Sequence, residues 1–392
     1  KKESVMRNFN FYAPTKILFG KNKVNEMADE IKSYGSKVLM VYGGGSIKKT
    51  GVYDQVVEQL KKNNIDFIEL GGVKPNPRLD LVHEGVKLCR ENDVDFILPV
   101  GGGSAIDTAK AIAAGVPYDG DAWDFYVQKA TVQSALPIGT VLTLAATGSE
   151  MNGNTVITNE KTEEKRGMGS DFLRPVFSVL DPTYTFTVNK YHTAAGTVDI
   201  MSHIFENYFA PGEGTFVQDH IAEAILKTCI KYGPVAIKDP ENYEARANLL
   251  WAGSLALNGL TLTGKIMGDW ATHGIEHEVS AIHDLTHGAG LAIIHPVWME
   301  YVLDESTAPK FAQMARNVWD IEEADDMKAA KEGISAVRKF FSSIGMPVTL
   351  SEAQIPEKHF EEMGKKACVF GKIGGFKRLD ENDVVAILKK AV

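Results

Sequence analysis

Asp95-Phe96-Ile97-Leu98-Pro99-Val100-Gly101-Gly102-Gly103-Ser104-Ala105-Ile106-Asp107 runs from an apolar stretch through three glycines into small residues. Asp95–Val100 has the length and apolar character of a buried strand. The glycines let the backbone turn sharply, and Ser104–Ala114 then reads as a helix with small side chains facing a sheet. Val38–Tyr42 is a second strand ending in a similar elbow, Gly43-Gly44-Gly45-Ser46. Around these lie a helical pattern at Tyr53–Lys62, a strand at Ile65–Leu70 and a helical pattern at Leu79–Arg90. Further β-rich pieces appear at Leu136–Leu142, Thr155–Thr158 and Phe177–Leu180. Strands alternating with helices of this length imply βαβ units and a parallel sheet covered on both faces.

After Asp181-Pro182 the strand signals nearly vanish. Helical patterns follow at Ala194–Tyr208, Phe216–Tyr232, Tyr243–Asn258, His287–Tyr301, Ala308–Val318, Ala329–Ser343 and Asp383–Lys390. The expected plan is a Rossmann-like α/β dinucleotide-binding domain with a parallel sheet over residues 1–184. An all-helical, metal-binding catalytic domain is expected over residues 185–392, with the coenzyme held in the cleft between the two.

Glycine elbows at strand ends let the backbone approach a pyrophosphate, whose charge the next helix N-terminus favours. Gly43, Gly44, Ser46, Gly102, Gly103 and Ser104 are therefore candidate cofactor contacts. Asp107 either joins them or simply favours the helix N-terminus. Neither elbow is a GxGxxG fingerprint, and a tight turn without a ligand is the bland alternative for each. Thr143-Leu144-Ala145-Ala146-Thr147-Gly148-Ser149-Glu150 either approaches the nicotinamide through Thr143 and Thr147 or is an ST-turn. NAD-preferring folds often place a carboxylate on the adenosine ribose. Here that position holds glycines and Ser46, with Lys48 and Lys49 following. A preference for NADP(H) over NAD(H) follows.

The second constellation is Asp199-x-x-x-His203, His273-x-x-x-His277 and His287-Gly288. Residues four apart on a helix share a face. One carboxylate with imidazoles suits a divalent ion such as Fe²⁺ or Zn²⁺ and leaves a position open for a substrate oxygen. Five of the ten histidines fall within residues 273–295, crowding that packing does not readily explain. His277-Glu278 lacks a second histidine at Ala281, so this is not the HExxH of a zinc protease.

The net charge of −9 over 392 residues argues against a nucleic-acid surface. Cys89, Cys229 and Cys368 are odd in number and widely spaced, as expected of reduced thiols in the cytoplasm. There is no apolar run of membrane-spanning length and no signal-peptide core behind Lys1-Lys2-Glu3-Ser4-Val5.

With these motifs in view, the chain resembles the iron-containing (group III) alcohol dehydrogenases, in particular butanol dehydrogenase-like aldehyde/alcohol dehydrogenases. The resemblance runs from Asn10-Phe11-Tyr12 to about residue 375. It rests on the two glycine elbows, Pro75-Asn76-Pro77, Thr147-Gly148-Ser149-Glu150 and the Asp/His constellation. It implies that Asp199, His203, His273 and His287 hold the metal, with His277 beside it as a proton relay. It further implies pyrophosphate contacts at Gly102, Gly103 and Ser104, and other cofactor contacts at Asn76, Thr143, Thr147 and Lys165. Relatives with an acid in place of Gly43 tend to use NAD, in line with the NADP(H) expectation. Leu144-Ala145-Ala146 departs from the Thr-Ala-Gly-type run of many members.

The implied reaction interconverts short or medium primary alcohols and aldehydes such as butanol and butanal, with Trp270, Phe209 and Ile275 as apolar pocket candidates. The alternative of the same two-domain plan is a glycerol dehydrogenase or dehydroquinate synthase type of enzyme. A homodimer is expected, its second subunit pairing with a β-rich arm at Asn8–Leu18.

Overall fold

In the computed structural model, which describes residues 5–392, the run quoted above becomes strand β4 (Phe96–Gly101), buried along its whole length. It lies at the centre of a six-stranded parallel sheet with β1 (Lys16–Phe19), β2 (Lys37–Val41), β3 (Asp66–Leu70), β5 (Gly139–Leu142) and β8 (Phe177–Leu180). The order is β1-β8-β5-β4-β2-β3. Successive side chains point to opposite faces, so the central strands feed two cores. Val38, Met40, Phe96, Leu98 and Val100 enter one; Leu39, Val41 and Ile97 enter the other.

The chain leaves β2 for β3 on one side and returns to β4 on the other. The order of strands therefore reverses at the β2/β4 pair, the place in an open parallel sheet where a crevice forms beyond the carboxyl ends. Both glycine elbows lie at that pair.

Two details depart from the sequence reading. The arm at Asn8–Leu18 forms a strand only at Lys16–Phe19, beyond Pro14, and that strand pairs with β8 of its own chain. Thr155–Thr158 belongs to β6 (Asn154–Asn159), which pairs antiparallel with the unpredicted β7 (Glu164–Gly169) in a separate hairpin.

The described chain forms two compact units. One holds residues 12–188 together with Asp239–Asn258; the other holds the described residues before Tyr12, Asn189–Lys238 and Gly259–Val392. The division at 184/185 thus misses one return of the chain. The Tyr243–Ala256 helix packs with the sheet: its Ser254 hydroxyl donates to Glu150 Oε1 at 2.6 Å, and Leu250 is buried with Ile106, Leu142 and Leu180. The second unit is helix-rich, with an isolated antiparallel bridge between Ile373 and Leu379, and its Lys190–Tyr208 helix is buried from Thr193 to Tyr208.

Candidate metal centre and cofactor crest

The Lys190–Tyr208 helix is started by Asn189, whose side chain accepts from His192 N at 2.8 Å. One turn separates Asp199 from His203 on it. The Ala271–His283 helix carries His273 and His277, and His287 opens the His287–Val302 helix. Gly288 lets that helix close in, since a Cβ there would stand 2.1 Å from Ala195 O.

The three imidazoles converge on one oxygen. The Nε2 atoms of His203, His273 and His287 lie 3.3, 3.8 and 3.5 Å from Asp199 Oδ1. Asp199, His203 and His273 are buried, while the His287 side chain is 24% exposed. Among the described residues, Asp199 Oδ1 and His273 Nε2 are buried without a hydrogen-bond partner. Orphaned polar atoms of this kind are costly unless something else satisfies them. Two donors each about 2.1 Å from a tetrahedral ion stand roughly 3.4 Å apart, so the separations fit a divalent cation.

Burial pushes the Asp199 carboxyl up, but the neighbouring imidazoles of His203, His287 and His273 outweigh this and hold it well below the usual carboxylate range. Burial drives His203 down to about 4, keeping the ring neutral with a lone pair to offer. His277 is half-buried, its ring centroid 6.2 Å from that of His273 and 5.7 Å from that of His287.

Trp270 is half-buried, with its ring 5.1 Å from His273 and 6.3 Å from His203, and so walls the site. The other two pocket candidates belong to the core. Phe209 and Ile275 are fully buried, and Phe209 packs among Phe205, Tyr208, Trp298, Phe311 and Phe376.

Two functional side chains escaped the sequence reading. Glu206 Oε1 accepts from His273 Nδ1 at 2.7 Å, and Glu276 Oε2 from His287 Nδ1; both acids are fully buried. The signal for Glu206 was an acid seven residues past Asp199, on the same face of the helix.

In the other unit, the elbows form a glycine-rich crest at the carboxyl ends of β2 and β4. Ser46 opens a short helix after Gly45, and Gly102 caps the Gly103–Gly115 helix with Ser104 in its first turn. Thr143 N donates to Gly101 O at 2.9 Å, and a Cβ on Gly103 would come within 2.4 Å of Thr147 Cγ2. Gly102, Gly103, Thr143 and Thr147 are therefore brought together. Lys165 and Asn76, both buried, meet through a 2.9 Å bond from Nζ to Oδ1.

Asp107, on the Gly103–Gly115 helix, is tied to the segment that follows Thr147. Its carboxylate accepts from Ser149 Oγ at 2.8 Å and Val156 N at 3.2 Å, and burial raises its pKa to about 6. One turn on, the buried Lys110 ammonium reaches Ser149 O and Oγ, Asn152 O and Oδ1, and Asn154 O at 2.6–3.2 Å. Together they pin the segment that follows Thr147.

The sequence matches two family models, "Iron-containing alcohol dehydrogenase" over residues 14–182 and "Fe-containing alcohol dehydrogenase family, C-terminal" over residues 193–392. It is 53% identical to NADH-dependent butanol dehydrogenase A of Clostridium acetobutylicum, covering 98% of this chain and 100% of that protein. It is 43% identical to an NADPH-dependent aldehyde reductase of Escherichia coli, covering 88% of this chain and 89% of that protein. Among solved structures, NADH-dependent butanol dehydrogenase A from Thermotoga maritima matches with a TM-score of 0.96 at 44% identity, covering 100% of each chain. The chain thus belongs to the iron-containing alcohol dehydrogenase family and is an NAD(P)-dependent alcohol dehydrogenase.

Proposed function

We propose that this protein interconverts short primary alcohols and their aldehydes, butanol and butanal among them, with NADP(H) preferred over NAD(H). The observation that carries the reading is the convergence of three imidazole nitrogens on one buried carboxylate oxygen. Asp199, His203, His273 and His287 are the proposed ligands of one divalent ion, Fe²⁺ or Zn²⁺. Such an ion, when bound, polarises an alcohol or carbonyl oxygen, while the nicotinamide carries the hydride.

The chain's own residues do the rest. Trp270 shields one side of the histidine cluster and offers an apolar wall to an alkyl chain. His277, one turn beyond His273 and half-buried, holds and moves the proton of the substrate oxygen. Gly102, Gly103 and Ser104 receive the pyrophosphate at a helix N-terminus, and Asn76, Thr143, Thr147 and Lys165 take up the remainder of the coenzyme.

Support for NADP(H) comes from Gly43, Gly44 and Ser46, a backbone-lined elbow with no acid to repel a 2′-phosphate. The aldehyde reductase relative is described as NADPH-dependent, whereas the butanol dehydrogenase relatives are described as NADH-dependent. Measuring kcat/KM for butanal with NADPH and NADH, on protein of known metal content, decides the matter. A clear NADH preference overturns the cofactor choice, and metal-stripped protein working at full speed overturns the site.

No helix among the described residues is long and apolar enough to cross a membrane. We place the enzyme in the cytoplasm as a homodimer. Support for the dimer comes from Phe9, Phe11 and Tyr12, whose rings stand open to solvent on the N-terminal arm. A single 43 kDa species in light scattering would exclude it.

A further inference from the structure

We infer that Glu206 and Glu276 are positioning residues that set the tautomer and aim of two of the three histidines, and that they do so by unequal means. The inference rests on the proposed metal site, and the experiment below separates the two.

An imidazole has one N–H and one lone pair when neutral, and an ionised carboxylate only accepts. Glu206 against His273 Nδ1 and Glu276 against His287 Nδ1 therefore place both protons on Nδ1. Each Nε2, which faces Asp199 Oδ1 at 3.8 and 3.5 Å, is thereby left as the atom that would offer its lone pair to a bound cation. Buried carboxylates in this position raise ligand basicity and fix ring orientation. His203 is different: its Nδ1 is buried without a hydrogen-bond partner among the described residues.

Glu206 is held by donors alone. Besides His273 Nδ1, Oε1 accepts from His273 N at 3.1 Å, and Oε2 accepts from Trp270 N at 2.7 Å. It thus caps the Ala271–His283 helix from the helix that bears Asp199 and His203, tying the two ligand-bearing helices together. A glutamine here must turn its NH₂ against one of those N–H groups. Turned toward His273, it would force Nδ1 to accept and put the proton on Nε2.

Glu276 has a more forgiving partner. Its Oε1 faces the Ser280 hydroxyl, which also lies 3.0 Å from Leu285 O. A glutamine can donate to Ser280 Oγ while Ser280 donates to Leu285 O, leaving the amide oxygen for His287. Room for the side chain comes from Gly290, where a Cβ would stand 2.7 Å from Glu276 Cγ and Oε1.

The test uses full-length protein stripped of metal and titrated with Co²⁺ against a competing chelator. Visible absorption and thermal unfolding are followed with and without metal. Glu206→Gln should weaken Co²⁺ binding by about 10–100-fold and alter the ligand-field spectrum. Glu276→Leu should do likewise, whereas Glu276→Gln should stay within about tenfold of wild type and keep its spectrum. A purely structural role would lower the Tm of the stripped protein but leave affinity and spectrum alone. Should Glu206→Gln fail to fold, the Glu276→Leu and Glu276→Gln pair still decides. Wild-type affinity and spectrum in both Glu206→Gln and Glu276→Leu overturn the inference. Failure of the wild-type protein itself to bind Co²⁺ overturns the metal site, and the inference with it.

Discussion

The two candidate sites are built from opposite materials. The candidate metal centre is a set of side chains projected from three helices, two of whose imidazoles are aimed by a buried acid. The cofactor crest is mostly backbone, shaped by glycines at strand ends, and its supporting side chains hold the loops rather than the ligand. Lys110 and Asp107 grip the segment after Thr147 from below, whereas Glu206 and Glu276 grip the donor rings themselves. A substitution in the first site should therefore change what is bound and how it reacts. In the second it should change which ligand fits.

The largest expected effect falls on the donor set. His273→Ala removes one of the converging nitrogens, so the isolated protein should retain no metal. Activity should fall by at least about a thousandfold, since the ion supplies several kcal/mol of transition-state stabilisation. Metal analysis alongside turnover checks both; an active, metal-loaded variant would dissolve the contrast at its strongest point. His277→Ala should separate binding from chemistry within the same helix. Metal content should stay at the wild-type level while kcat drops about a hundredfold, the usual size of a lost proton transfer. Loss of metal in that variant would make His277 a ligand.

At the crest the expected effect is smaller and selective. Gly43→Asp puts a carboxylate at the end of β2, where it would repel a 2′-phosphate and accept from a ribose hydroxyl. The NADPH to NADH ratio of kcat/KM should shift by about thirtyfold toward NADH, with metal content unchanged. An unchanged ratio would show that the elbow at β2 does not read the coenzyme.

The same contrast explains what was legible in the sequence. Strands β2 and β4 stood out because parallel strands buried on both faces are apolar throughout and end in glycines. The donor set stood out because carboxylates and imidazoles at helical spacing are chemically conspicuous. Strand β7, Glu-Lys-Arg-Gly-Met-Gly, was invisible because it is half-exposed, charged and held by its hairpin partner rather than by its own propensity. The Tyr243–Ala256 helix looks like its neighbours in sequence, and its place beside the sheet depends on contacts such as Ser254 with Glu150 that no local pattern announces. Glu206 and Glu276 escaped for a related reason: a buried acid is read from its partner's position in space, and Glu206 stands 67 residues from His273.

The smallest effect tests that last point without touching a titratable group. Gly290→Ala adds one methyl to the His287–Val302 helix, 2.7 Å from Glu276 Cγ and Oε1. Alanine is favoured over glycine inside a helix by up to about 1 kcal/mol, which offsets part of the roughly 1–3 kcal/mol cost of overpacking. Global stability of the stripped protein should therefore change little. The methyl must nevertheless displace the Glu276 side chain, and with it the His287 ring that its carboxylate holds. Metal affinity should fall by about tenfold, near the lower end of what misplacing a buried partner costs. If the Tm drops several degrees while the affinity holds, Gly290 serves helix packing alone, and the metal centre is less dependent on its buried acids than the crest is on its glycines.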